Sequence, residues 1–579
     1  SFAAAFLLAA VLGLRPLFLL AVTTFFIDLL LEAAFLLLRL PFRKSALRPL
    51  VLLAGRRLYE LAVLPYSALR DADAVCRALY RMIFSHRNML QWQTAADAER
   101  SRPQNTREYF KALFPCAAFG TIVLAAVSAA IAAARQIHNG ETAGMAAAGL
   151  ATAVLWLCAP LIAEKKDKKP DSYRFTAAER GRLTEIFADT WQYFEQNCTE
   201  KTSWLPPDNF QEEPYRGAAM LTSPTNIGMG LMAVVSAHDM HLLDERGMFT
   251  RLERMVNSIE KLEKWHGHPF NWYNLRDLSL LRPRFISTVD SGNLFACLIT
   301  TACALDECAG QAEKTSAEFA EELKKLAARC TAIARAMDFS VLYDNTRELF
   351  HIGCSFEEGK LTPSHYDLLA SECRLTSFSA IAFSRIGSEH WFALSRLMCD
   401  ASGGRVLKSW SGTMFEYLMP LIFFETVPYS MQFEVCRNAV LTQILAAAAE
   451  KPWGVSESGY YAFDDALRYQ YRAFGNPELA LAPGRTRSDV IAPYACVLAL
   501  AVEPKAAAEN LRLLCQIGAA GKYGLYEALD YGAAEKNGFA IVKSYMAHHQ
   551  GMSLCAINNA LNNNVLARRF MSVPEVRAN

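Results

Sequence analysis

Two apolar patterns divide the chain. Before residue 165 the apolar residues form unbroken runs. Residues 115–134 (PCAAFGTIVLAAVSAAIAAA) and 144–163 (GMAAAGLATAVLWLCAPLIA) carry no charge, and each has about the length of a helix that crosses a bilayer. Only RQIHNGETA separates them, which predicts a tight transmembrane hairpin. Residues 1–38 are also strongly apolar, with Arg15, Asp28 and Glu32 as their charges. They predict one or two further spans, cut at the start. A signal peptide fits poorly, because more spans follow.

After residue 175 apolar positions recur at helical spacing. They predict helices near 176–197, 224–242, 247–265, 291–309, 313–338, 364–385, 410–426, 428–449, 459–474, 488–502, 504–518 and 541–558. Ser223-Pro224 and Ser364 fit helix starts. Strands are expected to be scarce. Twelve paired helices in about 400 residues fit an all-α (α/α)6 toroid. Such a ring has a funnel at one end, built from loops and inner-helix termini. A helical solenoid is the rival, and no repeated sequence period supports it. GMG at 228–230 has no strand before it and no third glycine, so close helix packing explains it better than a dinucleotide fingerprint.

Charge orients the parts. Lys165, Lys166, Lys168 and Lys169 follow the hairpin, and residues 41–114 carry many arginines. Both flanks are therefore expected in the cytoplasm. The organisation read is 1–40 transmembrane, truncated at the start; 41–114 a cytoplasmic basic juxtamembrane segment; 115–163 a transmembrane hairpin; 164–175 a basic linker; and 176–579 a cytoplasmic catalytic domain. HRNMLQWQTAADAER (86–100) reads as a juxtamembrane helix or, less simply, an interfacial coupling helix. The net charge of +1 and the lack of a basic stripe with aromatics exclude nucleic acid as an expected partner. Fifteen single cysteines, with no zinc spacing, suit a reducing compartment. Membrane lipid is an expected partner. The chain starts at Ser1 inside an apolar run and reads as a piece of a longer protein.

The loops between the helices concentrate Trp, Tyr, Asn, His and carboxylates: WHGHPFNWYNLRD (265–277), STVDSGN (287–293), SWSGTMFEY (409–417), PWGVSESGYYAFD (452–464), YGLYEALDY (523–531) and KSYMAHHQGMS (543–553). A sugar ring needs an aromatic face for its C–H side and polar groups for its hydroxyls. Trp272, Tyr273, Asn293, Trp410, Trp453, Tyr460 and Gln550 are candidate substrate contacts. Asp290 is another, although an N-cap explains it equally well.

Glycoside chemistry takes two carboxyl groups, one to donate a proton and one to attack or to activate an attacker. Glu457, in a loop read as lying ahead of a helix, is one candidate. Glu372, read as lying within a buried helix, is the other. Its alternative is a structural ion pair with Arg374. Glu416 and Glu527 sit in aromatic settings and suit substrate or supporting contacts. His548 and His549 suit hydroxyl binding. A metal role for them lacks a partner at i+3 or i+4, and no metal ligand set is read.

HRNMLQWQTAADAER, TSPTNIGMGLMAVVSAHDM, FNWYNLRDL, STVDSGNL, LLASECRLTSFSAIA, SWSGTMFEYLMP, PWGVSESGYYAFD, YQYRAFG and KSYMAHHQGMSL together resemble the bacterial cyclic β-1,2-glucan synthases, over nearly the whole chain. The resemblance implies the last membrane spans plus the (α/α)6 cyclisation domain. It leaves out a UDP-glucose glycosyltransferase domain and a phosphorylase-like region of the same polypeptide. It implies a retaining transglycosylase on linear β-1,2-glucan at the bacterial inner membrane, with no cofactor. Glu457 of PWGVSES is then the nucleophile. Glu372 is the acid/base, in Ser371-Glu372-Cys373-Arg374 where related sequences often read SEAR. The acid acts directly or through a substrate hydroxyl. A plain endo-β-1,2-glucanase and a non-catalytic glucan scaffold are the alternatives.

Overall fold

The computed structural model describes residues 47–87, 105–134, 141–167, 173–425, 427–447, 451–483, 488–533 and 538–578, with isolated positions before 47 and at 103. It divides into two compact units, Ser1–Asp171 and Ser172–Asn579.

In the first unit both uncharged runs are helices, Phe114–Ala134 and Glu141–Asp167, and they pack on each other. A glycine permits the approach: a Cβ on Gly120 would stand 3.0 Å from the Ala153 carbonyl oxygen and from Leu157 Cγ. Small residues bring helices close where lipid supplies no hydrophobic drive. The short helix Thr106–Ala112, capped by the Asn105 side chain, meets Phe114–Ala126 at 71°. Among the described residues of this unit, that bent pair alone is long and apolar enough to cross a membrane. The basic segment contributes helices Leu47–Ala62 and Leu64–Tyr80. Trp156 Nε1 donates to the Leu61 carbonyl at 2.8 Å. Nearly all of 1–38, residues 135–140, between the two runs read as a hairpin, and residues 88–100 lie outside the described residues.

The second unit is an (α/α)6 ring. Among the described residues six helices line it: Pro224–Asp239, Thr288–Ala312, Arg374–Ala382, Met414–Leu418, Pro493–Leu498 and Ala547–Leu561. Contacts link Ala547–Leu561 to Pro224–Asp239, on to Thr288–Ala312 and then to Arg374–Ala382; Met414–Leu418 packs on Pro493–Leu498, which returns to Ala547–Leu561. Arg374 Nη2, donating to the Tyr417 carbonyl at 3.2 Å, joins the two arcs. These inner helices are apolar around most of their girth. Every residue from Pro224 to Ala237 is buried, as expected of helices with neighbours on all sides. Thr288–Ala312 is apolar enough to cross a membrane but is mostly buried here as a core helix. The outer helices, Ala177–Asn197, Glu245–Lys261, Ala317–Arg335, Glu389–Ala393, Met431–Ala446 and Pro504–Gln516, form the second layer.

Glycine sets the spacing of the inner ring. A Cβ on Gly228 would lie 2.9 Å from Cys297 Sγ, and one on Gly292 would lie 1.9 Å from Thr376 Oγ1. The first explains part of the GMG run as close packing.

The structure corrects several helix assignments. Residues 459–474 form a β-hairpin, Ser458–Phe463 with Tyr469–Arg472, because their Tyr and Phe favour a pleated surface and Asp464 closes the turn. Its Oδ1 accepts from the Ala466 and Arg468 N–H groups at 2.9 and 2.8 Å. Residues 365–366 and 540–546 are strands ahead of their helices. The short outer helix Glu389–Ala393 restores the count. Strands are not scarce: many strands of two to six residues build the loops at the funnel.

Candidate active site

All six inner helices offer chemistry from their N-terminal ends. Asn226 lies in the first turn of Pro224–Asp239, Asp290 in that of Thr288–Ala312 and Glu416 in that of Met414–Leu418. Glu372 stands two residues ahead of Arg374–Ala382; Tyr494 opens Pro493–Leu498; His548 and His549 open Ala547–Leu561. Positive helix ends thus ring a well of carboxylates, which suits negative charge there.

Glu372 and Glu457 are half-buried at the centre. Burial pushes the Glu372 carboxyl up to about 8, with the charges of Glu416 and Glu457 adding to it. Burial also pushes Glu457 up, to about 7, against a lowering hydrogen bond from Tyr471. That bond separates the two groups. Tyr471 OH donates to Glu457 Oε1 at 2.8 Å, whereas Glu372 has a weaker set: its own backbone N–H and a 3.4 Å contact from Ser371 Oγ. A donor favours the charged form, so Glu457 ionises before Glu372.

Two sequence readings need correcting here. Glu372 lies in the turn ahead of its helix and not within it. Among the described residues it forms no ion pair with Arg374, which is buried and turned to Tyr417. Glu457 precedes a β-strand and not a helix.

A polar chain supports Glu457. Tyr471 OH also lies 3.4 Å from His549 Nε2. His549 Nδ1 stands 3.0 Å from both Glu527 oxygens, a hydrogen bond that anchors the ring. Burial holds the His549 imidazole well below its ordinary value and pushes Glu527 up to about 7. The His549 ring stacks on Tyr494 with centroids 3.7 Å apart. Tyr494 OH donates to the Glu457 carbonyl at 3.0 Å. Glu527 also accepts from the Gly459 N–H at 2.9 Å. Side chain and backbone of Glu457 are therefore both fixed.

His548 Nδ1 lies 3.2 Å from Asn226 Oδ1, and Asn226 Nδ2 donates to Asp208 Oδ1 at 2.8 Å. The ligand atoms of Glu457, His548 and His549 fall within 4.8 Å of one another. The acidic partner that the sequence lacked at i+3 or i+4 thus comes from another loop, although Glu457 and His549 already serve Tyr471 and Glu527.

Asp290 does not cap its helix; the Ser287 side chain does. Asp290 Oδ1 accepts from Thr225 Oγ1 at 2.6 Å, and Thr225 Oγ1 in turn accepts from Asn293 Nδ2 at 3.2 Å. The Asp290 charge acts on Glu457 and on Tyr366.

Most other candidates are held by bonds within the frame. Glu416 is the acid of a capping box and accepts from Ser409, Ser411 and Thr413, so the loop saturates it while its charge still acts on the pair. Tyr273 is buried, with its OH donating to the Glu263 carbonyl. Trp453 is buried, with its backbone clamped by the Asn510 amide. Gln550 Nε2 donates to the Leu525 carbonyl. Tyr460 OH donates to Gln470. Trp272 is half-buried and Trp410 is 43% exposed.

Tyr366, Tyr471 and Tyr494 escaped the sequence reading. The charges of Glu372, Asp290 and Glu457 all act on Tyr366, whose hydroxyl burial pushes far up. YQYRAFG did contain Tyr471, but read as helix it placed that residue nowhere near Glu457.

Comparison with known proteins agrees with this frame. Residues 364–574 match a family described as "Putative glucoamylase", and residues 186–290 match a family of unknown function, DUF3131. The chain is 31% identical to cyclic beta-(1,2)-glucan synthase NdvB of Rhizobium meliloti, over 90% of this chain and 22% of that protein. It thus spans about a fifth of that relative's length. The endo-beta-1,2-glucanase of Chitinophaga pinensis, solved with sophorotriose and glucose, superposes with a TM-score of 0.56 at 18% identity, covering 70% of this chain and 97% of that one. The endo-beta-1,2-glucanase of Talaromyces funiculosus, solved with beta-1,2-glucan, gives 0.54 at 12% identity, covering 68% and 86%. The fold is therefore glucoamylase-like. The chain is a relative of a glucoamylase-like segment of a cyclic β-1,2-glucan synthase, as its motifs implied.

Proposed function

We propose that the second unit is a retaining transglycosylase that cuts linear β-1,2-glucan and closes it into a ring. One observation carries the reading: two carboxyl groups close enough for the charge of Glu457 to act on Glu372, with the Tyr471 hydroxyl donating to Glu457. Glu372, the weaker acid, gives its proton to the leaving glycosidic oxygen, directly or through a substrate hydroxyl. Glu457 attacks the anomeric carbon as that C–O bond breaks, and a glycosyl-enzyme forms. The 2-hydroxyl at the chain's far end then attacks the same carbon, Glu457 leaves, and the hydroxyl proton returns to Glu372. Two inversions keep the β configuration. Tethering raises the effective concentration of the attacking hydroxyl, so closure competes with water. Water in its place would give an endo-β-1,2-glucanase, a reading the likeness to the glucanase folds also supports.

The likeness to the synthase and the apolar helices of the first unit support a membrane protein. Its spans would be multi-pass in a bacterial inner membrane, with the catalytic unit in the cytoplasm. Glycosyltransferase and phosphorylase-like domains of a longer polypeptide would be its partners.

The test incubates the detergent-purified chain, wild type beside Glu457→Gln and Glu372→Gln, with linear β-1,2-glucan. Products are weighed by mass spectrometry. Products one water lighter than linear fragments, absent with both variants, support cyclisation by this pair. Linear fragments alone assign hydrolysis. Bound but unchanged glucan with wild type would leave a scaffold.

A further inference from the structure

We propose that Asp344, His351 and His365 form a binding site for one divalent transition-metal ion, with Zn2+ as its first probe. Their ligand atoms lie within 4.8 Å of one another. The sheet itself assembles them. Strands Tyr343–Asp344, Leu349–His351 and His365–Tyr366 are antiparallel neighbours. His365 lies directly across from His351, and Asp344 lies across from Leu349, two residues before His351. Side chains alternate between faces along a strand, so the three ligands share one face. Tyr343, Phe350 and Tyr366 take the other.

His351 and Asp344 are each fixed by a second contact that leaves one atom over. His351 Nδ1 lies 2.6 Å from the Thr362 carbonyl oxygen. A carbonyl only accepts, so the proton sits on Nδ1 and Nε2 keeps its lone pair. Metal-ligating histidines are held in this way, by a carbonyl or carboxylate on the other nitrogen. Asp344 Oδ1 accepts from the Thr346 and Arg347 N–H groups at 2.9 and 3.1 Å, which leaves Oδ2 forward. Asp344 Oδ2 and His365 Nε2 stand 3.1 Å apart. Tetrahedral zinc with bonds of about 2.0–2.2 Å holds its ligand atoms about 3.4 Å apart, a spacing this pair nearly has. On binding, His365 turns to the tautomer protonated on Nδ1, its Nε2 proton passing there through solvent, the zinc ion gives up three waters, and two Zn–N bonds and one Zn–O bond form. All three ligands are half-buried, so water takes the fourth position. Two imidazoles and one carboxylate suit a transition metal of the zinc class better than calcium, which takes only oxygen. The exposed Arg347 Nε, 4.0 Å from Asp344 Oδ2, is the local competitor and is free to swing into solvent.

The consequence reaches the catalytic face. The ion would tie together the three strands whose opposite side presents Tyr366 to Glu372. The inference stands apart from the glycosidase reading, because metal binding is read directly.

The test adds Zn2+ to the metal-stripped full chain in detergent, with its thiols alkylated because fifteen cysteines are free. Calorimetry and zinc-edge X-ray absorption are the readouts. The expected result is one ion per chain with only nitrogen and oxygen neighbours at about 2.0–2.2 Å. Asp344→Asn and His351→Gln, each of similar shape, should weaken it at least about tenfold. Unchanged affinity in both variants overturns the proposal. So does loss of binding in His548→Gln with these two variants unaffected, which would put the ion beside Glu457. Should a variant fail to fold, two readings decide: a wild-type spectrum without two imidazole-type scatterers overturns the site, and one with them supports it where His548→Gln keeps the ion.

Discussion

Tyr471 stands across the hairpin from Gly459 and donates its hydroxyl hydrogen to Glu457 Oε1 at 2.8 Å. The pairing register alone brings it there. A slip of one residue would turn Tyr471 to the other face of the hairpin. The bond favours the charged carboxylate, the form an attacking nucleophile needs.

Tyr471→Phe removes that donor and little volume. A hydrogen bond to a charged group is worth about 1.5–3 kcal/mol, so kcat/KM is expected to fall about tenfold to hundredfold. Glu457 then titrates higher, and the acidic limb of the pH profile moves up. A fall in rate with an unmoved limb would assign Tyr471 to substrate binding instead.

The wild-type profile should be a narrow bell. Activity needs Glu457 ionised and Glu372 protonated. With Glu457 pushed to about 7 and Glu372 to about 8, activity should rise with pH near the first value and fall beyond the second. The two limbs belong to the coupled pair and not to either residue alone. Initial rates on reduced-end-labelled glucan across the range give the profile. A broad plateau reaching below about pH 5 would remove the premise that burial raises both groups.

Raised carboxyl values also cost stability. Between the ordinary glutamate value near about 4.3 and about 8 for folded Glu372, the native state holds a proton that the unfolded state has lost. Stability therefore falls as pH rises through that window. Glu372→Gln escapes the cost. It should be more stable than wild type by about 1–2 kcal/mol near pH 9, after allowing for the partial exposure of the group, and should lose that advantage near pH 4. Urea unfolding at the two pH values checks both the sign and its disappearance.

The ring was legible because its inner helices are apolar nearly all round and its outer ones are striped. Pro224–Asp239 and Thr288–Ala312 announced themselves in this way. The site was legible only as loops. Glu457 stood out by its company, Trp453, Gly454 and Tyr460, yet two of those three companions prove structural: Trp453 is clamped to Asn510, and Tyr460 bonds Gln470. Tyr471 was lost because aromatic residues spaced through YYAFDDALRYQYRAF satisfy a helical count as well as a strand's. Only long-range pairing separates the two. His549 was visible, but its use depends on Glu527, a contact made by the fold.

Two tryptophans read alike in the sequence should part in experiment. Trp453 is 7% exposed and bound through its backbone on both sides to Asn510, whereas Trp410 is 43% exposed. Truncating a buried tryptophan leaves a cavity and costs about 3–5 kcal/mol, so Trp453→Ala should lower the unfolding midpoint sharply. Trp410 has an open face on which a sugar can stack. Trp410→Ala should leave the midpoint nearly unchanged and weaken glucan binding about threefold to tenfold, in line with about 0.5–1.5 kcal/mol for a specific aromatic contact. Thermal unfolding and glucan titration of the two variants separate the roles. If Trp410→Ala instead lowers the midpoint and leaves glucan affinity intact, the SWSGTMFEY loop is frame throughout and the glucan touches other aromatics.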